Sequence, residues 1–166
     1  GADVNTPAGQ GDTPCWQAAW CGHEGVVRVL AEYGADIDQP NNQGCTPCCI
    51  AAQEGHATVV RVLADLGADV NTPAFDGATP CYKAAQNGHE GSLRALVEAS
   101  ADFNKAMPRG TTPSVIAAFN GHSSIVHYLL RLGAPIHPKA SAVVRRKGHA
   151  AIADCLDAVT ACGGYK

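Results

Sequence analysis

Apolar residues recur along the chain in short blocks separated by glycine, proline and polar turns. Segment 57–66 predicts an amphipathic helix, because four apolar residues fall at helical spacing: Val59, Val60, Val62 and Leu63. Ahead of it, Thr46 is a suitable N-cap, Pro47 a suitable first helical residue, and Gly55 a suitable left-handed stop. The block therefore predicts two short helices joined by a tight turn.

The same block returns every 33 residues. The segment GADVNTP at residues 1–7 recurs at 67–73, and related segments start at Gly34 and Ser100. Three dipeptides keep the same step: Thr-Pro at 13–14, 46–47, 79–80 and 112–113, Ala-Ala at 18–19, 51–52, 84–85 and 117–118, and Gly-His at 22–23, 55–56, 88–89 and 121–122. One helix pair cannot bury its own apolar face, so the copies are expected to stack.

A fifth copy starts at Gly133 and is degenerate. Its Gly148-His149 follows the previous Gly-His after 27 residues, and Lys139-Ala140 stands where Thr-Pro is expected. Terminal repeats are often atypical. We expect a single domain over residues 1–166, with repeats at about 1–33, 34–66, 67–99, 100–132 and a degenerate terminal repeat at 133–162.

The pattern resembles the ankyrin repeat, which has a 33-residue period and a T-P-L-H-x-A signature. The matching segments are TPCWQA, TPCCIA, TPCYKA and TPSVIA, starting at Thr13, Thr46, Thr79 and Thr112. The Leu-His of the family pattern is replaced in every copy, which alters packing at the start of the first helix. The resemblance covers residues 1–132 well, and it implies an all-α solenoid of stacked helix-turn-helix repeats with projecting β-turn or hairpin loops.

The spacing Cys45-x-x-Cys48 raises the question of a redox or metal site. However, Cys15, Cys48 and Cys81 share one place in successive repeats, where the family has an inward-facing Leu, so we expect them in the core. Packed helices lie about 8–10 Å apart, too far for a disulfide between equivalent cysteines. Cys45 falls at a variable turn position and is expected to be a surface thiol. This cysteine usage favours an intracellular, reducing compartment, the cytoplasm or the nucleus.

Two further ladders run through the repeats. The first is His23, His56, His89 and His122, whose spacing of about 10 Å excludes shared metal coordination; the resemblance implies that these histidines hydrogen-bond backbone between repeats. The second is Arg28, Arg61, Arg94 and His127. Acids stand four residues after the three arginines, at Glu32, Asp65 and Glu98, and predict weak ion pairs within each helix.

The distribution of charge and the absence of catalytic motifs argue against several classes of function. Residues 1–100 hold 12 acids and 4 bases, whereas residues 101–166 hold 8 bases and 3 acids. The basic run Arg145-Arg146-Lys147 is too short to indicate nucleic-acid binding, and no apolar run reaches the roughly 20 residues of a membrane helix. No phosphate-binding, dinucleotide-binding or hydrolase motif occurs, and no motif links a nucleophile to a base. We therefore expect neither catalysis, nor a cofactor, nor direct membrane insertion.

If repeated residues fix the scaffold, binding information lies in the positions that vary. In proteins similar to ankyrin repeats, the projecting turns and the exposed end of the first helix bind partners. The residues of this chain at those places are Gln10, Asp12, Trp20, Asn42, Gln43, Gln53, Glu54, Phe75, Asp76, Gln86, Asn87, Arg109, Phe119 and Asn120. Trp20, Phe75, Phe119 and Arg109 are the predicted anchors, with local packing against the neighbouring repeat as the alternative for the aromatics.

The favoured hypothesis is a protein–protein interaction scaffold that binds a protein partner through its concave face and loop tips. A second hypothesis is a targeting or regulatory segment of a larger enzyme, channel or multi-subunit assembly. It draws on the first repeat, whose Val26, Val27 and Val29 are apolar and lack a polar cap. A thiol- or metal-dependent enzyme is the least favoured hypothesis.

Overall fold

The computed structural model describes residues 3–135 and 140–161. The regular structure in these residues is ten helices: α1 (Pro14–Trp20), α2 (Glu24–Glu32), α3 (Pro47–Glu54), α4 (Ala57–Asp65), α5 (Pro80–Asn87), α6 (Glu90–Glu98), α7 (Pro113–Asn120), α8 (Ser123–Arg131), α9 (Ala140–Arg146) and α10 (Ala150–Ala161). Lys139 and Cys162 lie outside the described residues. The expected all-α repeat architecture is confirmed.

Thr-Pro opens each of the first four odd-numbered helices. The threonine hydroxyl oxygen accepts the backbone N–H three residues on, at 3.2 Å from Trp16, Cys49 and Tyr82 and at 3.4 Å from Val115. This bond satisfies one of the free N–H groups of a helix start. At the other end, Gly55 caps α3 with φ +87°, a left-handed conformation that favours glycine.

The helices stack in two layers. Odd-numbered helices form an inner row in which α1, α3, α5, α7 and α9 each contact the next, and α2, α4, α6 and α8 form an outer row in the same way. The Ala-Ala pairs of the inner row are buried, and their small side chains let neighbouring helices approach closely. The outer helices supply larger core residues such as Leu63, Leu93 and Leu129, each fully buried.

The predicted cysteine row lies in this core. Cys15, Cys48 and Cys81 are 1%, 0% and 1% exposed, which confirms the prediction. Burial raises the pKa of Cys15 to about 11 and those of Cys48 and Cys81 to about 12, since a thiolate is poorly solvated there. All cysteines within residues 3–135 and 140–161 are free thiols.

The ion pairs predicted within the outer helices do not form as expected. Arg94 pairs with Glu90 at 2.6 Å, one turn before it rather than after it, and Arg61 reaches Glu98 of the next repeat at 3.4 Å. A glutamate four residues before an arginine is the better orientation, because it places the acid nearer the helix N-terminus. The outer layer is therefore linked partly across repeats.

Each of the first four repeats projects a tight turn before the start of its inner helix. Four equivalent backbone hydrogen bonds close these turns: Ala8 N–H to Asp12 O, Asn41 to Cys45, Ala74 to Ala78, and Met107 to Thr111, at 2.9–3.0 Å. None of the described helices is long and apolar enough to cross a membrane.

Candidate functional site

A groove of about 530 Å³ lies between the turn tips of the first three repeats and their inner helices. Seven of the predicted binding residues line it: Gln10, Asp12, Trp20, Gln43, Gln53, Phe75 and Asp76. The remaining lining comes from Trp16, Asn41, Cys45, Ile50, Ala74 and Lys83. The sequence prediction thus converges on one concave surface in this part of the chain.

Backbone hydrogen bonds stack the turn tips on one another. Asn42 N–H donates to the carbonyl oxygen of Gln10, and Phe75 N–H donates to that of Gln43, each at 3.0 Å. Pro108 holds the equivalent place in the next turn and has no N–H to donate, so this ladder stops there. The rim of the groove is therefore most firmly tied across the first three repeats.

Phe75 sits at the tip of the third turn with 80% of its surface exposed. Its ring lies directly over Gly44 of the preceding turn, where any added Cβ would collide with it. Gly44 therefore supports one face of the aromatic ring and leaves the rest to solvent. This contact positions Phe75 without burying it.

Trp20 is the last residue of the first inner helix, lines the groove and is 47% exposed. Its ring centroid lies 6.1 Å from that of Trp16, which is itself buried at 8% exposure. The pair forms a tilted aromatic contact of a favourable kind. Trp16 thus provides a fixed wall against which the exposed Trp20 ring rests.

Two polar pairs lie in the groove. Lys83 Nζ lies 3.2 Å from Asp76 Oδ2, and Asn41 Nδ2 donates to Asp12 Oδ1 at 3.0 Å. Partial burial acts to raise the pKa of Asp76, but the Ala78 N–H and the Lys83 ammonium outweigh it and leave this pKa below its usual value. Asp76 is therefore a carboxylate at neutral pH.

Cys45 is not the surface thiol that its turn position suggested. It is 6% exposed, and Cys49 and Trp16 lie beside it. Hydrogen bonding from the Cys49 thiol lowers the pKa of Cys45 against the effect of burial, and raises that of Cys49. The Trp16 Nε1–H makes no hydrogen bond of good geometry in the described residues, yet it lies close enough to favour the Cys45 thiolate.

Hydrogen bonds between repeats fix the ends of the inner helices. His56 Nε2 lies 3.0 Å from the Trp20 carbonyl oxygen, and His122 Nε2 lies 3.1 Å from that of Gln86. These contacts confirm the implied backbone role of the two histidines. Asn87 and Asn120, both predicted to bind a partner, donate their side-chain amides to the carbonyl oxygens of Gln53 and Gln86, at 2.9 and 2.7 Å.

Arg109 and Phe119 lie apart from the groove. They line a smaller cavity of about 270 Å³ together with Val143 and Val144 of the terminal repeat. Phe119 is half-buried, and Lys147 Nζ lies 4.6 Å from its ring centroid, within cation–π range. The contacts of Phe119 are thus those of packing against the neighbouring repeat.

Sequence reasoning missed Lys83 and Ile50 as groove residues. They occupy the same place in successive inner helices, where the first and fourth repeats have Gln17 and Ile116. Because this position varies between repeats, the rule that binding residues lie at variable positions would have selected Lys83 and Ile50. Trp16 and Asn41 also stand at places that vary between repeats, but those places lie outside the positions that the resemblance indicated.

The described residues hold no group of three His, Cys, Asp or Glu side chains close enough to bind a metal ion.

Comparison with known families supports the repeat pattern. A family model described as "Ankyrin repeats (3 copies)" matches residues 1–74 and again residues 70–140. The chain belongs to the ankyrin-repeat family. Ankyrin repeats are in general protein–protein interaction modules. Comparison with curated proteins found no match.

Proposed function

We propose that this ankyrin-repeat chain is an interaction scaffold that binds a protein partner in the groove of its first three repeats. The observation that carries the proposal is the pair of exposed aromatics, Trp20 and Phe75, that line one concave surface. Aromatic residues contribute most often to the affinity of protein interfaces, especially where surrounding contacts exclude water. Trp20 contacts Trp16, and Phe75 contacts Gly44, so each ring is already held in place and loses little side-chain freedom on binding.

The rim supplies the polar part of such an interface. Gln10, Gln43 and Gln53 each present an amide that can donate and accept hydrogen bonds, which suits the backbone of a bound segment. Asn42 and Glu54 extend this exposed polar surface beside the groove. An apolar centre with an amide-rich rim is the usual anatomy of a reversible protein interface.

The proposal is tested by capture of partners from a lysate of the source organism. Wild-type protein and the double variant Trp20→Ala/Phe75→Ala serve as baits, with Tyr33→Ala as the matched control. Tyr33 is 74% exposed at the end of the outer helix α2 and does not line the groove. We expect the double variant to lose partners that both other baits retain. Circular dichroism confirms that each bait is folded.

A photo-reactive amino acid places the contact on the surface. Substituted at Gln43, on the groove, it is expected to cross-link the captured partner, whereas substituted at Asp65, on the outer helix α4, it is not. Capture that survives Trp20→Ala/Phe75→Ala on a folded bait, with cross-links only from position 65, would contradict the assignment to the concave face.

A second candidate function is favoured by the outer helix of the first repeat. Val26, Val29 and Tyr33 are 47%, 50% and 74% exposed there, whereas Val27 is fully buried. We propose, as the alternative, that this helix end packs against other parts of a larger enzyme, channel or multi-subunit assembly, in which the chain has a targeting or regulatory role. Loss of capture by Tyr33→Ala, with Trp20→Ala/Phe75→Ala unaffected, is the result that this alternative predicts.

A further inference from the structure

A cysteine and a histidine meet on the outer face where the fourth and fifth repeats join. Cys155 Sγ on α10 lies 3.6 Å from His127 Nε2 on α8. Cys155 is half-buried and His127 is exposed, so the pair is open to small molecules. The sequence showed no motif that linked a nucleophile to a base, and the structure corrects this expectation by bringing the two together across 28 residues.

The tautomer of His127 is decided by its other ring nitrogen. Nδ1 lies 2.7 Å from the carbonyl oxygen of Ser123, and a carbonyl only accepts, so Nδ1 carries a hydrogen. In the neutral ring Nε2 is then the acceptor, and the Cys155 thiol donates to it. A backbone carbonyl therefore orients the imidazole so that its basic nitrogen faces the sulfur.

The register of the outer helices produces this pair. His127 stands in the ladder of Arg28, Arg61 and Arg94, and in the preceding junction the Arg94 guanidinium lies 4.0 Å over the Tyr128 ring. Cys155 holds the place of Tyr128, since each lies six residues after the histidine of its Gly-His pair. An arginine in that place offers no lone pair to a thiol proton, whereas the imidazole of His127 offers Nε2.

The other described thiols lack this arrangement. Cys15, Cys45, Cys48, Cys49 and Cys81 are buried. Cys21 is exposed, but within residues 3–135 and 140–161 its sulfur makes no hydrogen bond with a base. Cys155 is therefore distinguished from the buried thiols by access and from Cys21 by its base. A nucleophile within reach of an oriented base is the usual arrangement for activating a thiol.

The negative charges beside Cys155 are partly offset. Asp154 and Asp157 flank it on α10, and both carboxylates pair with Arg145, at 2.8 and 2.9 Å. They therefore repel an approaching anion only weakly. Residues 101–166 as a whole carry eight Lys or Arg and three acidic residues, an excess of positive charge that suits an anionic reagent.

We propose that Cys155 is a modification site at which low-molecular-weight disulfides, of the class of glutathione disulfide, form a mixed disulfide with the protein. The Cys155 thiol proton passes to His127 Nε2, and the thiolate attacks one sulfur of the disulfide. A new sulfur–sulfur bond forms as the old one breaks, and the departing thiolate takes the proton from His127 Nε2. One protein thiol and one disulfide give one mixed disulfide and one free thiol.

The experiment uses the full chain and glutathione disulfide as the probe. Mass spectrometry follows adduct formation at Cys155 and Cys21 at pH 7, with guanidinium-unfolded protein giving the intrinsic rate of each thiol. The tryptic peptide of Cys155 also contains Cys162, so fragmentation assigns the site. After correction for the unfolded rates, we expect Cys155 to react at least about tenfold faster than Cys21, below the 10²–10⁴ range typical of positioned bases because the site is partly exposed.

Two variants distinguish whether His127 speeds the reaction of Cys155 as a proton acceptor or through a positive charge. His127→Gln removes the proton acceptor, and His127→Arg restores the ladder residue and keeps a positive charge without a base. We expect both to lower the Cys155 rate to that of Cys21 while the Cys21 rate stays unchanged. Equal rates at the two thiols of wild type, or a Cys155 rate that survives His127→Gln, overturns the proposal. A rate kept in His127→Arg but lost in His127→Gln overturns the role of His127 as the base.

Discussion

The His56 imidazole Nε2 lies 3.0 Å from the carbonyl oxygen of Trp20, the last residue of the inner helix in the preceding repeat. Because the carbonyl accepts, Nε2 donates, and the bond satisfies a free carbonyl at a helix end. The same bond holds the backbone that carries the exposed Trp20 ring. One repeated histidine thus stabilises the stack and positions a groove residue.

We expect His56→Ala to lower the free energy of unfolding by about 1–2 kcal/mol, for the lost hydrogen bond and the unpaired carbonyl. His23→Ala is the matched control, since His23 holds the same place, is exposed, and makes no side-chain hydrogen bond within the described residues. Urea unfolding followed by circular dichroism measures both. Equal losses in the two variants would show that the bond to Trp20 adds nothing.

Ser100 adopts φ +63°, a left-handed conformation that is costly for a residue with a Cβ. Gly34, Gly67 and Gly133 stand in the same place in other repeats. We expect Ser100→Gly to raise the free energy of unfolding by about 0.5–1 kcal/mol, the strain relieved less the extra entropy of the unfolded glycine. Ser100→Ala keeps the Cβ and is expected to bring no gain. A Ser100→Gly protein no more stable than wild type in urea would contradict this account.

The buried cysteine row predicts a loss of stability in alkaline solution. The folded pKa values of Cys15, Cys48 and Cys81, about 11, 12 and 12, lie above the ordinary value of 9.0. The folded protein therefore holds these protons more tightly, so their contribution is complete below pH 9 and is lost as the pH rises toward the folded values. At pH 10 the loss is about 1–1.5 kcal/mol per thiol.

Urea unfolding at pH 7 and pH 10, in a phosphine reductant, measures this loss. The control is the triple variant Cys15→Ala/Cys48→Ala/Cys81→Ala, in which other groups titrate as before. Its absolute stability is lower because of lost packing, but its change between the two pH values is expected to be smaller than that of wild type. The same change in both proteins would refute a thiol origin.

The alkylation rate of Cys45 shows whether its burial or its lowered pKa controls its reactivity. Its pKa is lowered by hydrogen bonding from the Cys49 thiol, yet it is 6% exposed. An alkylating reagent reaches it only after local opening, and an opening cost of only about 1.4 kcal/mol slows the reaction tenfold. We expect iodoacetamide to label exposed Cys21 at least about tenfold faster than Cys45 in the folded protein. Comparable labelling of the two thiols would indicate that Cys45 is exposed, as the sequence predicted.

The sequence by itself determined the repeat. The 33-residue step, the Thr-Pro starts and the glycine stops are local signals, so they set the helices before any packing is known. The cysteine row was predictable for the same reason, because equivalent places in stacked units have equivalent burial. Half of the proposed binding residues, including Trp20 and Phe75, line the groove. They were predicted from their variability together with the positions that the resemblance to ankyrin repeats indicated.

Only the tertiary structure decided which side chains meet across repeats. It buried Cys45 beside Cys49 and Trp16, joined Arg94 to Glu90 rather than Glu98, and placed His127 against Cys155. These outcomes depend on the register between neighbouring helices and on side-chain rotamers, because a shift of one residue along a helix turns a side chain by about 100°. A periodic sequence states which places are equivalent, and the packed structure sets the distances between them.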